Sequence, residues 1–281
     1  MQMRLSTYRL FACIAVVVLA GLPRVAAADE WDSCVKLSDD VAVAGCSRAI
    51  DSQQYTGRSL ARLYSRRGGA YQAQGDTNRA MADQDESMRI DPTYPAAYSN
   101  RGNVWFHKGD FDRAIADYNQ AIKLDPKYAV AYANRGSALG AKGDLDRAIA
   151  DFDQAIQLDP KDAAAYYNRG RAWSAGGEYD RAITDYNQAI ELDPKYGAAY
   201  VNRGSAWGNK GEFDRAIADY NEAIRLDPKG TKAYYNRGMA WEKKRSLKEA
   251  LVDFKMHAQL APSDPDGLKA LKRVSKELSA R

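Results

Sequence analysis

The triplet Asn-Arg-Gly occurs at 100–102, 134–136, 168–170, 202–204 and 236–238, each step being 34 residues, and Arg66-Arg67-Gly68 extends the series backwards. Asp-Pro keeps the same step at 91–92, 125–126, 159–160, 193–194 and 227–228, and becomes Ala261-Pro262 last. A fixed period of this length constrains the fold more than composition does. Each copy is one supersecondary unit that buries its apolar face only against its neighbours, so the chain is a stack and not one or two globular cores. Six units follow: 61–94, 95–128, 129–162, 163–196, 197–230 and 231–264.

Each unit reads as two helices. In 129–162, Tyr132, Gly136 and Leu139 share one face at spacings of four and three, which is helical periodicity. Gly143 ends the first helix, where a left-handed residue costs little, and Asp144 offers the short side chain of an N-cap. Ala148, Phe152, Ala155 and Ile156 form the apolar face of the second helix. Asp159-Pro160 stops it, because proline lacks an N–H and clashes with the preceding turn.

These residues resemble the tetratricopeptide repeat family, whose unit pairs small residues with large ones at fixed places. Gly68, Gly102, Gly136, Gly170, Gly204 and Gly238 match its small residue of helix A, and Ala80, Ala114, Ala148, Ala182, Ala216 and Ala250 that of helix B. Tyr64, Tyr98, Tyr132, Tyr166, Tyr200 and Tyr234 take its first aromatic site. Tyr71, Trp105, Trp173, Trp207 and Trp241 take the next bulky one, with Leu139 the exception. Tyr118, Phe152, Tyr186, Tyr220 and Phe254 match the aromatic site on helix B. The resemblance implies an all-α, right-handed superhelical solenoid of antiparallel helix pairs. It also assigns the surplus of 18 Tyr over 6 Phe to a repeated core.

The edges are less regular, as terminal repeats are. Unit 61–94 has Gln84 at the aromatic site and Ser87 at a small one; unit 231–264 has Arg245-Ser246 for Gly-Asp and His257 for Ala. Residues 29–60 read as a degenerate amino-terminal repeat, since Ala42, Cys46 and Ala49-Ile50 repeat the helix B pattern. Residues 265–281, with Leu268, Leu271, Val274 and Leu278 at helical spacing, read as an amphipathic capping helix.

The amino terminus has a different grammar. Arg4 and Arg9 precede an apolar run from Phe11 to Leu22, followed by Val25-Ala26-Ala27-Ala28 and Asp29, the order of a secretory signal peptide over 1–28. The run is well short of the roughly 20 residues of a membrane-spanning helix, so no stable membrane span is expected. Export, with the periplasm ahead of release outside the cell, is the expected destination. Removal of the signal takes Cys13 with it, and Cys34 and Cys46 are then expected to pair as a structural disulfide, two independent buried thiols being the alternative.

No enzyme is expected. The two histidines, His107 and His257, have no companions at metal-ligand or triad spacing, and no phosphate-cradling loop or nucleophile motif occurs. No metal or other cofactor is implied. Asp117, Asp151, Asp185, Asp219 and Asp253 are copies of one position, expected to bond to the repeated Arg, such as Arg135 or Arg169, rather than to act as acid–base pairs. The net charge of +4 falls to about +1 without Arg4, Arg9 and Arg24, and with the aromatics read as core no nucleic acid is expected as a partner.

The resemblance places helix A on the concave side and turns the residue two before each small Gly into the groove. Those residues are Asn100, Asn134, Asn168, Asn202 and Asn236. An amide that both donates and accepts can bind the backbone of an extended peptide whatever its sequence. The competing reading is that each bonds locally within the stack. Ser99, Ala133, Tyr167, Val201 and Tyr235, with Asn103, Ser137, Arg171 and Ser205, vary between repeats, and Tyr167, Arg171 and Tyr235 are the candidate binding anchors. The carboxylate clamp of chaperone-binding members is not matched, because Ser99, Ala164 and Asn168 stand where its basic residues belong. The expected work is non-catalytic capture of a partner's peptide or helix in the groove, in envelope assembly or secretion. A self-assembling solenoid and a cell-wall glycan-binding accessory remain as alternatives.

Overall fold

The computed structural model describes Cys34 and residues 39–280; the expected signal peptide over 1–28 lies outside the described residues. Among the described residues the chain is all helical. Helix α1 (Asp39–Asp51) precedes six A helices: α2 (Gly57–Ala73), α4 (Pro95–His107), α6 (Ala129–Ala141), α8 (Ala163–Ala175), α10 (Gly197–Asn209) and α12 (Thr231–Lys243). These alternate with six B helices: α3 (Thr77–Ile90), α5 (Phe111–Leu124), α7 (Leu145–Leu158), α9 (Tyr179–Leu192), α11 (Phe213–Leu226) and α13 (Leu247–Leu260). Helix α14 (Pro265–Ser279) closes the stack. No helix among the described residues is long and apolar enough to cross a membrane.

The local signals act where the sequence places them. Gly143 adopts φ +85°, and Asp144 caps α7 by accepting from the Arg147 N–H. Within a pair, the B-helix ring lies against the bare backbone of its A helix. A Cβ at Gly102 would stand 2.6 Å from the Tyr118 ring, so only glycine lets the two helices meet there.

The recurrent Arg and Asp form a spine through all six repeats. Nε and Nη2 of Arg67, Arg101, Arg135, Arg169, Arg203 and Arg237 donate to both carboxylate oxygens of Asp83, Asp117, Asp151, Asp185, Asp219 and Asp253 at 2.6–2.9 Å. The remaining Nη1 of Arg101, Arg135, Arg169, Arg203 and Arg237 reaches back to the previous B helix, at Asp85, Asn119, Asp153, Asn187 and Asn221. One planar fork thus ties a helix pair together while its third nitrogen ties the pair to its neighbour.

The reading of the tyrosine surplus as core needs correction. Tyr118, Tyr186 and Tyr220 on the B helices are buried. By contrast Tyr64, Tyr98, Tyr132, Tyr166, Tyr200 and Tyr234 are half-buried at the rim of the spine. The guanidinium of the repeat's own Arg sits 5.3–5.7 Å from the ring centres of Tyr64, Tyr132, Tyr166, Tyr200 and Tyr234. The hydroxyls of Tyr98, Tyr132 and Tyr234 donate to the carbonyls of Pro92, Pro126 and Pro228. A ring that stacks on a cation and keeps its hydroxyl near water is better placed at an edge than in a core.

Consecutive A helices touch one another from α2 to α12, whereas no two consecutive B helices make comparable contact. The stack therefore curves with the A helices inside, which defines the concave face.

Candidate functional site

Three bays lie along that face. The first, about 520 Å³, is lined by Ser65, Arg66, Gly69, Gln72, Ala73, Asn100, Asn103 and His107. The central one, about 500 Å³, runs across α4, α6 and α8, with Asn103, Phe106, His107, Asn134, Ser137, Gly140, Ala141, Asn168, Arg171 and Ala175 on its walls and the Tyr118 and Phe152 rings at its base. The third, about 220 Å³, lies between α10 and α12 and is lined by Ser205, Gly208, Asn209, Phe213, Tyr220, Asn236, Met239 and Lys243.

Four of the five ladder residues, Asn100, Asn134, Asn168 and Asn236, line these bays. Most are also bonded within the stack. Asn100 Nδ2 donates to Ser65 Oγ at 3.0 Å, Asn134 Nδ2 to Ser99 Oγ at 3.4 Å, and Asn236 Nδ2 to Ser205 Oγ at 3.3 Å. Asn202 Nδ2 donates to the Tyr167 hydroxyl at 3.0 Å and lines no bay described above. Asn168 differs: its side chain makes no hydrogen bond within the described structure, and its amide opens into the central bay. The ladder is therefore a set of inter-repeat ties with one open rung.

The candidate anchors also separate. Tyr167 packs 4.8 Å from Tyr196 and 6.0 Å from Tyr186, at the junction of α8 and α10. Tyr235 lies 5.9 Å from Phe254 and 5.3 Å from His257, packed with the cluster beneath α14. Both rings are thus already engaged. Arg171 is exposed, its guanidinium 5.9 Å from the Tyr167 ring centre, and no carboxylate pairs with it among the described residues.

Hydroxyls at the bay floors are held in the protonated state, because burial pushes Tyr118 and Tyr220 above the ordinary tyrosine range. Tyr118 donates to Asn103 Oδ1 at 2.7 Å, and Tyr220 to Ser205 Oγ at 3.3 Å. His107 and Phe106, which line the central bay, and Asn209 and Lys243, in the third, are groove residues that the repeat register does not by itself assign. A signal was available for most of them: His107 follows Asn100, Asn209 follows Asn202 and Lys243 follows Asn236 at a spacing of seven, on one helical face.

Family profiles match much of the sequence. Two profiles described as tetratricopeptide repeat match residues 134–197 and 61–94, and one described as TPR repeat matches 102–143 and 209–244. Together they cover more than half of the chain, which belongs to the tetratricopeptide repeat family. Curated protein sequences return no match. Among solved structures, the anaphase-promoting complex hetero-tetramer Cut9–Hcn1 superposes with a TM-score of 0.72 at 17% identity, covering 83% of this chain and 48% of that one. This chain thus spans about half the length of that relative. YrrB, described as a TPR protein with an unusual peptide-binding site, has a TM-score of 0.56 at 23% identity, covering 67% and 97%. MamA has a TM-score of 0.54 at 32% identity, covering 57% and 94%.

Proposed function

We propose that this chain is a non-catalytic scaffold that holds an extended segment of a partner protein along its concave face. The observation that carries this reading is the line of three bays down the A helices, with ladder residues in each and an unbonded amide at Asn168. A preformed, spine-braced surface would bind with little backbone change, so affinity would come from many modest contacts. YrrB, which shares the fold and is described as having a peptide-binding site, supports a peptide as the occupant.

The work is placed in the envelope, in assembly or secretion, on the strength of the signal-like residues 1–28. Cys34 and Cys46 are both buried, with Cα atoms 4.5 Å apart, and serve as a disulfide that ties the chain ahead of α1 to that helix. Amino-terminal sequencing of protein from the envelope fraction is expected to begin at Asp29, and thiol counting on denatured, unreduced chain to find none. A cytosolic full-length chain or two free thiols would overturn the placement.

Partner capture is tested by affinity purification from the native cell, comparing the wild-type chain with Asn134→Ala/Asn168→Ala/Asn202→Ala. Loss of a specific partner while the helical signal is intact supports the groove. Undiminished capture by the triple variant overturns it.

A further inference from the structure

The six A helices contain one acid, Glu242. Its carboxylate is taken up by Arg273 of α14, which grips both oxygens at 2.6–2.7 Å. The recurrent A-helix arginines are likewise spent, each on the aspartate of its own B helix. Among the residues that line the three bays, the formal side-chain charges have one sign. Arg66 lines the first bay, Arg171 the central bay and Lys243 the third, and no Asp or Glu lines any of the three.

Within the central bay two donors converge. Asn168 and Arg171 stand three apart on α8, one turn of one face, and neither has a hydrogen-bond or ion-pair partner among the described residues. A guanidinium fork beside a free amide N–H is a receptor for a carboxylate, which accepts from both. A basic side chain would be repelled there, and a neutral one would leave the fork unused. In a concave, partly desolvated wall this charge also steers an anionic segment towards the bay.

We propose that the segment held in the groove is acidic, and that one of its Asp or Glu carboxylates docks on Arg171 and Asn168 in the central bay. This rests on the groove reading above and adds the chemistry of the occupant.

The test is selection of phage-displayed random decapeptides on residues 29–281, followed by anisotropy titration of the recovered peptides, synthesised and fluorescently labelled. The expected peptides are rich in Asp and Glu. Changing their central Glu to Gln is expected to weaken binding about tenfold, the scale of one charge-assisted contact. Arg171→Gln should impose the same loss and flatten the salt dependence, while Arg171→Glu, on an exposed side chain, should abolish binding without altering the circular dichroism. Arg171→Lys should retain part of the affinity, since the charge stays and the fork goes.

Neutral or basic peptides that bind and are lost in the triple Asn variant would overturn the acidic occupant while leaving the groove reading intact. Peptides unaffected by either variant would overturn both. An oligothymidine strand competing for the same bay with equal affinity would overturn the proposal in favour of a general polyanion groove.

Discussion

Repeats 129–162 and 231–264 share a period and a shape, yet the interior one is regular and the last is rebuilt at the positions that face its neighbour. In the interior, Ala155 on the B helix is buried, as is Ala165 on the following A helix. In the last repeat the corresponding positions hold His257 and, on α14, Gly267. The His257 ring fills the space that Gly267 leaves, and a Cβ there would stand 2.5 Å from Nε2. That ring is also gripped, with Nδ1 3.0 Å from the Thr231 carbonyl and Nε2 2.7 Å from the Asp264 carboxylate that caps α14. An interior joint is held by shape repeated on both sides. The joint beneath α14 adds directional bonds.

The first repeat departs in another way. Gln84 occupies the ring site and is fully buried; its Nε2 donates to the Ser65 carbonyl while Oε1 has no partner. The last repeat also carries Arg245 where the interior turns carry glycine, at φ +63°. Each departure weakens one end, so the ends should open before the middle.

The largest effect is expected in the interior. Phe152→Ala should cost about 3–5 kcal/mol and lower the whole urea transition, because its ring is packed within the middle of the stack. Phe254→Ala should cost a similar amount locally and appear as a separate early transition; if both variants unfold in one coincident step, ends and middle are not distinct. Next, His257→Ala should cost about 2–3 kcal/mol through a lost ring and two lost bonds. Adding Gly267→Ala rebuilds the interior Ala–Ala joint, and a double variant no more stable than the single one would refute the size exchange.

Gln84→Phe should add about 1–2 kcal/mol by removing the orphaned oxygen and restoring the ring, read from the amplitude of the earliest transition. Arg245→Gly should add about 1 kcal/mol, since the left-handed turn no longer carries a Cβ. The smallest effect is a pH dependence at α14. The hydrogen bond to His257, with the Asp266 backbone, holds the Asp264 carboxylate below its ordinary value of 3.8. Its stabilising contribution is then complete above that value and is lost as pH falls through the lower folded one. Hydrogen exchange in α14 should rise below about pH 3.8, and Asp264→Asn should remove that rise.

Much of this was legible in the residues. The Arg–Asp spine could be read from register, because Arg135 and Asp151 recur in step and each lies on the facing side of one hairpin. The caps were legible because Gly143 and Asp144 act through their own backbone. The state of the asparagine ladder was not, although its position was. Asn100 reaches Ser65, and Asn202 reaches Tyr167, across a separation of 35 residues. Whether that reach succeeds depends on which side chain the previous repeat offers. The residue 35 before Asn168 is Ala133, which offers no hydroxyl, and Asn168 makes no bond to Ser137 at the 31-residue separation by which Asn236 reaches Ser205.

The sequence by itself determined the helix pairs, their period and their stacking, since propensity, capping and the spacing of small against large residues are local quantities that add along the chain. Only the tertiary structure decided which amides on the inward face remain unspent, and that Arg171 and Asn168 stand open together. Those outcomes depend on bonds between repeats, where the available partner is set by the neighbour and the angle at which it packs.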